Sequence, residues 1–288
     1  MKVAKKVLVT GANGQLGKCL QELAPAYSHL QFTFASRDVL DIEDAEAIRA
    51  FFNTEDFDYC INAAAYTNVE KAEGDKEAAF MANAEAVKWL AVHCAEKEVV
   101  LLHISTDYVF DGKKEQPYAE DDAVGPINVY GASKLVGEGY IRELTERYFI
   151  LRTSWLYCQY GHNFLNTILR YAKEGKPLTI TTEQVGTPTN ANDLAEALVA
   201  LIESDSEAYG VYHFSNEGKG TWYDFAKAIL EDTQQLETTE LAQTAYYRTF
   251  AERPKYSVLD KTLFKRTFQK EVLHWRDSLR LLLEQTNN

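Results

Sequence analysis

The sequence predicts an α/β fold: a doubly wound parallel sheet with helices on both faces, followed by a smaller C-terminal lobe. Three observations lead there. Short apolar runs alternate with longer helix-patterned segments through the first half of the chain. Those runs are nearly continuous in apolar residues, as strands covered on both faces require. The first run ends in a glycine-spaced loop that opens directly into a helix pattern.

In chain order, strands are expected at 7–10, 31–35, 58–63, 99–105 and 149–152, with helices between them at 15–23, 44–52, 76–94 and 128–147. After Arg152 the rhythm breaks into mixed aromatic and polar residues, Ser154-Trp155-Leu156-Tyr157. A helix at 163–173, a short strand at 177–181, a helix at 192–203 and a strand at 210–214 follow, and the remainder reads as mostly helical. The expected division is a first domain over 1–155, with later contributions near 185–215, and a lobe formed mainly by 156–288, interleaved with it.

Bulk composition excludes several classes. The 288 residues suffice for one large domain with a smaller lobe. The net charge of −13, with no clustered Lys and Arg stripe, argues against a nucleic-acid partner. No apolar run approaches the ~20 residues of a membrane span. The opening residues Met1 to Thr10 hold too short an apolar run for a signal peptide, so a cytoplasmic location is expected. Cys19, Cys60, Cys94 and Cys158 form no C-x-x-C motif and no zinc spacing with histidine, so they are expected as free thiols and no metal is expected. His103, inside the run Val99 to Ser105, is expected to be a strand residue with a local partner.

Gly11, Gly14 and Gly17 follow a strand and open a helix. Glycine permits the tight turn and close backbone approach, and the helix start turns its positive dipole end outward. Gly11, Asn13, Gly14, Gln15, Leu16 and Gly17 are therefore expected to hold the pyrophosphate of a nicotinamide dinucleotide in a Rossmann-type domain. At the end of the second strand, Ser36 and Arg37 stand where an acidic residue would select NAD. They suit a 2′-phosphate, which points to NADPH, with Asp38 near enough to admit NADH.

Tyr130 and Lys134 lie four apart in a helix pattern and so share a face. A phenol with a pKa near ~10 needs help to act at neutral pH, and a fixed cation would lower it. Ser105 and Thr106 end the preceding strand. Thr106 is the preferred contact to a substrate carbonyl, with Asp107 positioning it.

The x-x spacing between each glycine resembles the short-chain dehydrogenase/reductase superfamily. That resemblance implies Asp41-Ile42 at the adenine edge. It also implies Asn62-Ala63-Ala64-Ala65, with Tyr66 after it, lying close under the cofactor. Longer stretches resemble the dTDP-4-dehydrorhamnose reductase family of the extended branch. They are Thr10 to Gly17, Asn62 to Glu73, Ser105 to Gly112, Val129 to Glu138, Arg152 to Tyr157, Gln184 to Thr189 and Arg253 to Asp260. The resemblance implies reduction of the C4 ketone of a dTDP-linked sugar, giving dTDP-L-rhamnose for cell-surface polysaccharide. It implies Tyr130 as proton donor, Thr106 on the same oxygen, and Lys134 on the nicotinamide ribose. It also implies Val69, Trp155, Asn163 and Gln184 around the sugar nucleotide, with Arg253 on the diphosphate.

Some relatives bind magnesium through glutamates at a dimer contact. Lys18-Cys19-Leu20 offers no such cluster, so neither magnesium nor a specific dimer is expected, and monomer or homodimer stays open. Two rival readings remain. A sibling dehydratase or epimerase would place a second carboxylate after Asp107, where this chain has Tyr108. A non-catalytic NADP-binding subunit resembling the methionine adenosyltransferase beta subunit would keep the cofactor loop; the compact C-terminus, without an evident interaction tail, argues mildly against it.

Overall fold

The computed structural model describes residues 4–286. Its strands are β1 (Lys5–Thr10), β2 (Leu30–Ala35), β3 (Tyr59–Asn62), β4 (Val100–Thr106), β5 (Tyr148–Thr153), β6 (Leu156–Tyr157), β7 (Leu178–Thr181), β8 (Val185–Gly186), β9 (Thr189–Asn190), β10 (Gly210–His213), β11 (Gly220–Thr221) and β12 (Leu241–Thr244). Its α-helices are α1 (Gln15–Leu23), α2 (Ala45–Phe52), α3 (Val69–Gly74), α4 (Lys76–Phe80), α5 (Ala86–Glu96), α6 (Val129–Leu144), α7 (Phe164–Lys173), α8 (Ala191–Glu203), α9 (Trp222–Asp232), α10 (Thr262–Phe268) and α11 (Trp275–Thr286).

Six strands form one parallel sheet in the order β10-β5-β4-β3-β1-β2. The chain runs outward from β1 to β2, then returns to place β3 on the other side of β1. The strand order therefore reverses between β1 and β3, and a crevice opens at their carboxyl ends. Alternate side chains feed two cores. Val7, Val9, Ile61, Leu102 and Leu151 pack under α1 and α8. Leu8, Cys60, Leu101 and Ile150 pack under α2, α5 and α6 with Ile48, Leu90 and Ile141. β1, β3, β4 and β5 thus bury both faces, which is why they read as continuous apolar runs.

A third core belongs to the lobe, where Leu165, Ile168, Phe225, Ile229, Leu279 and Leu283 join α7, α9 and α11. A fourth, around Val109, Phe110, Tyr118 and Leu259, ties the segment after β4 to residues near the C-terminus. The chain crosses back to the sheet late, since β10 is its sixth strand.

The short elements α3, β6, β8, β9 and β11 are absent from the sequence reading, and two further departures stand beside them. The helix expected over 76–94 is interrupted by a π-helical turn at Met81–Glu85. That turn carries the buried Asn83 inward, where its amide bonds the backbone of Tyr66 in both directions at 2.9 Å and donates to Ser133 Oγ at 3.0 Å. The region read as mostly helical also contains β12, paired in parallel with β7. Four residues, Leu-Ala-Gln-Thr, carry too little pattern to announce a strand; the neighbouring edge supplies it.

Candidate active site

Most helix starts in this protein are closed by a side chain: Asn128 accepts from Gly131 N, Asn163 from Asn166 N, and Thr221 with Asp224 forms a capping box. The nine-residue helix α1, like α4, α5 and α10, has no side-chain cap. Its N-cap is Gly14, which offers no side-chain acceptor, so its first N–H groups are left for a ligand. Gly11 carries φ +66°, and a Cβ there would lie 2.6 Å from the backbone N of Ala64. The loop is thereby seated against the end of β3, and only glycine fits.

This loop borders a cavity of about 330 Å³ at the crevice. Gly11, Asn13 and Gly14 form one wall. Arg37, Asp41 and Ile42 form a second, and Ala63, Ala64, Ala65 and Tyr66 a third. The alanines keep that floor low, and Asn83 pins it through Tyr66. Gln15 and Leu16 face the adjoining cavity instead, and Gly17 is buried beneath the loop. Arg37 stands at the rim, 70% exposed, with Asp41 and Glu43 each at 3.2 Å. Its charge is shared with two carboxylates. Ser36 is not brought to the wall; its carbonyl closes the turn by accepting from Val39 N and Leu40 N.

A second cavity, about 430 Å³, continues past the loop to the ends of β4 and β5. Thr106 enters it from the end of β4, Asp107 from the turn that follows, and Tyr130 and Lys134 from α6, with Val69, Trp155, Asn163 and Arg253 also on its wall. Helix α6 reaches these strand ends because Gly131 removes the obstacle: a Cβ there would lie 2.1 Å from the carbonyl oxygen of Tyr108. A buried ion pair then holds the helix. Glu138 accepts from Arg152 Nε at 2.9 Å and Nη2 at 2.7 Å, and also from Ser105 Oγ at 2.6 Å. Ser105 borders the cavity, but its hydroxyl is spent on Glu138. Thr106 faces the cavity, donating to Asp107 Oδ1 at 3.1 Å and accepting from Tyr108 N at 3.1 Å.

The electrostatics differ from the expectation that Lys134 lowers the Tyr130 phenol. Burial dominates and pushes Tyr130 above its ordinary value, against a smaller opposing effect from the Thr106 hydroxyl; Asp107 and Tyr108 add to the rise. The Lys134 ammonium points instead to His103 Nε2, at 3.2 Å. Burial lowers Lys134 to about 8, with Glu138 one turn on opposing the fall. A neutral, protonated phenol results, the form that gives up a proton to an oxyanion. Burial also lifts Asp107 to about 7, the Ser257 and Thr106 hydroxyls pulling the other way, and its Oδ2 has no partner.

Trp155 holds φ +45°, a strained backbone for a bulky residue. Its ring lies flat on Trp222 with centroids 3.7 Å apart. Beyond this pair is a third cavity of about 420 Å³, with Gln184 on its wall. Gln184 Oε1 accepts from Trp222 Nε1 at 2.9 Å. Arg253 borders both the second and third cavities. It pairs with Glu70 at 2.7 Å and reaches Tyr108 Oη at 3.4 Å, while its buried Nε has no partner. Asn163 lies in the second cavity but spends its amide on Gln15 Oε1, Cys158 O and Tyr160 O, tying α7 to the glycine loop.

Residues 5–288 match the family model described as the RmlD substrate binding domain. A dTDP-4-dehydrorhamnose reductase of Aggregatibacter actinomycetemcomitans is 37% identical over 285 residues, covering 96% of this chain and 97% of its own. The chain belongs to the dTDP-4-dehydrorhamnose reductase family. A spore coat polysaccharide biosynthesis protein of Bacillus subtilis is 38% identical, with 98% of both chains covered. The crystal structure of dTDP-4-dehydrorhamnose reductase from Bacillus anthracis in complex with NADP superposes with TM-score 0.93 at 35% identity, covering 98% of this chain and 99% of that one. A UDP-glucose 4-epimerase from Thermus thermophilus, 19% identical with TM-score 0.83, shares the fold.

Sequence reasoning missed Tyr108 and Trp222 at the cavities and Asn83 beneath them. Each left a trace. Tyr108 directly follows Thr106-Asp107. Trp222 opens a helix marked by Thr221 and Asp224. Asn83 is a lone amide among Ala79, Ala82 and Ala86 on an otherwise apolar helix face.

Proposed function

We propose that this chain reduces the C4 ketone of dTDP-4-dehydro-6-deoxy-L-mannose to give dTDP-L-rhamnose, in the synthesis of cell-surface polysaccharide. NADPH is the reductant, and NADH is the alternative that the assay below compares with it. The observation that carries the reading is the meeting of Tyr130 and Thr106 at the cavity that joins the glycine-loop crevice to the lobe. The uncapped start of α1 and the alanine floor fit a dinucleotide. When bound, the reduced nicotinamide supplies the hydride.

The chain's own groups do the rest. Tyr130, protonated in its buried setting, passes its proton to the oxygen at C4. Thr106 turns its single hydroxyl proton from Asp107 to the same oxygen, while its own oxygen stays held by Tyr108 N; Asp107 positions Thr106 until then. Lys134 holds the nicotinamide ribose. Val69 and Trp155 border the sugar, and Gln184 lies on the nucleoside side. The diphosphate lies between, where Arg253 presents an N–H with no protein partner. Asn163 acts from behind, by fixing Gln15 at the loop. In this assignment 1–155 holds the cofactor, with contributions near 185–215, and 156–288 mainly holds the sugar nucleotide.

Among the described residues no helix is long and apolar enough to cross a membrane. The proposed setting is the cytoplasm, with the dTDP-sugar as the partner and no nucleic acid or membrane involved. The test is one assay. The purified chain is given dTDP-4-dehydro-6-deoxy-L-mannose with NADPH or NADH, and the product sugar is identified. Formation of dTDP-L-rhamnose with matching cofactor oxidation is expected. Tight NADPH binding without turnover would overturn the proposal in favour of a regulatory role.

A further inference from the structure

One fully buried side chain next to the proton-transfer residues has no part in the account above. His103 lies on β4, three residues before Thr106. Thr10, Asn62 and His103 stand directly opposite one another on the neighbouring strands β1, β3 and β4. Their side chains continue that ladder. Thr10 Oγ1 is 2.7 Å from Asn62 Oδ1, the Asn62 amide is 3.1 Å from His103 Nδ1, and His103 Nε2 is 3.2 Å from Lys134 Nζ. Among the described residues this is the only hydrogen bond of the Lys134 ammonium.

We infer that His103 is a positioning residue for Lys134: held as the Nδ1–H tautomer, it accepts one ammonium N–H through Nε2 and fixes where the other two point. The inference rests on the reading of Tyr130 and Lys134 as the reductase pair.

A count of protons leads to this tautomer. An ammonium has three donors and no acceptor, so Nε2 must offer its lone pair. A neutral imidazole then carries its proton on Nδ1 and needs an acceptor there. With Asn62 Nδ2 toward the ring, both ring nitrogens would face donors. Turning the amide by 180° puts Asn62 Oδ1 on Nδ1–H and Nδ2 on the Thr10 hydroxyl oxygen, and each of the three contacts then pairs one donor with one acceptor. Protonation of the ring is opposed by its complete burial and by the Lys134 charge, both of which push His103 well below its ordinary value.

The charged surroundings are few. Lys134 faces His103 from β4 and Glu138 on its own helix. Glu138 is already engaged by Arg152 of β5 and by Arg142. Asp107 and Tyr130 lie on the cavity side. His103 is thus the neutral acceptor that steadies a buried cation without cancelling its charge. Two N–H groups remain for the cavity, where the ribose is proposed to sit.

The experiment has two arms. In the first, the full chain carrying ¹⁵N-labelled histidine is followed by NMR between pH 6 and 8. His103 is expected to keep a protonated Nδ1 and a bare Nε2 throughout; an Nε2–H tautomer or an imidazolium signal overturns the inference. This arm needs no substrate, so it stands apart from the substrate assignment. In the second, the pH profile of kcat/KM is measured for His103→Leu, which fills the space without an acceptor, and for His103→Gln, which restores one. Loss of its only partner should shift the alkaline limb of the leucine variant down by about one pH unit and cut kcat about tenfold. The glutamine variant should recover most of the limb. A folded His103→Leu protein with the parental limb overturns the inference, and if that variant does not fold, the tautomer measurement decides.

Discussion

Gly131 of α6 rests against the main-chain oxygen of Tyr108, so close that a methyl group there would lie 2.1 Å from it. This contact sets the distance between Tyr130 on the helix and Thr106 on the strand end. Gly131→Ala must displace the helix or the turn after β4. A shift of roughly 1 Å at reacting groups costs about 10²-fold in rate. We expect kcat to fall by about that factor, with a smaller loss of NADPH affinity, because of the proposed cofactor contacts only Tyr130 and Lys134 ride on α6. Steady-state kinetics and a fluorescence titration check both halves.

Tyr130→Phe removes only the hydroxyl. The ring, stacked edge-on to Tyr108 with centroids 6.0 Å apart, keeps its packing. Loss of a positioned general acid lowers kcat by about 10²–10⁴-fold. Full activity in this variant would remove Tyr130 from the mechanism.

Asp107 makes stability depend on pH in a definite direction. Its ordinary value is 3.8 and burial raises it to about 7. Between those values the folded state holds a proton that the unfolded state has released. Stability from this group is therefore complete below 3.8 and lost as pH rises through about 7. A shift of that size corresponds to ~4 kcal/mol. Asp107→Asn cannot titrate, so its advantage over the parent should be larger at pH 8 than at pH 5. Urea unfolding at the two pH values tests this, and an equal difference at both would refute it.

The Glu138–Arg152 pair is buried on both sides. Glu138→Gln leaves the Arg152 guanidinium without its counter-charge inside the protein. A destabilisation of about 3–5 kcal/mol is expected, read as a lower denaturation midpoint. The double variant Glu138→Gln with Arg152→Met should recover part of that loss, because the guanidinium is no longer stranded, although Lys134 and Arg142 still lose the Glu138 charge.

Arg37 meets solvent and two carboxylates as well as the cavity. Arg37→Ala should lower the ratio of NADPH to NADH turnover by about threefold or more, the scale of one exposed charge contact. An unchanged ratio would mean that Arg37 spends its charge on Asp41 and Glu43 alone.

Sequence alone determined the layered α/β sheet, the glycine loop and the Tyr130–Lys134 spacing. All three are written locally: apolar runs, a strand–glycine–helix junction, and two residues one helical turn apart. The full set of dTDP-4-dehydrorhamnose reductase stretches was legible for the same reason, as contiguous residues. Tertiary structure decided what lies between distant segments. It bonded Ser105 to Glu138, left Ser36 off the cofactor wall, spent Asn163 on Gln15, and set Arg253 at the passage between two cavities. It also set the proton inventory. Lys134 shares a helix face with Tyr130, yet its hydrogen bond goes to His103 on a strand 31 residues earlier. Burial, which no local pattern reports, raises the Tyr130 phenol further above its ordinary value. Helical spacing can place two side chains on one face, but what each touches depends on the strands packed against that face.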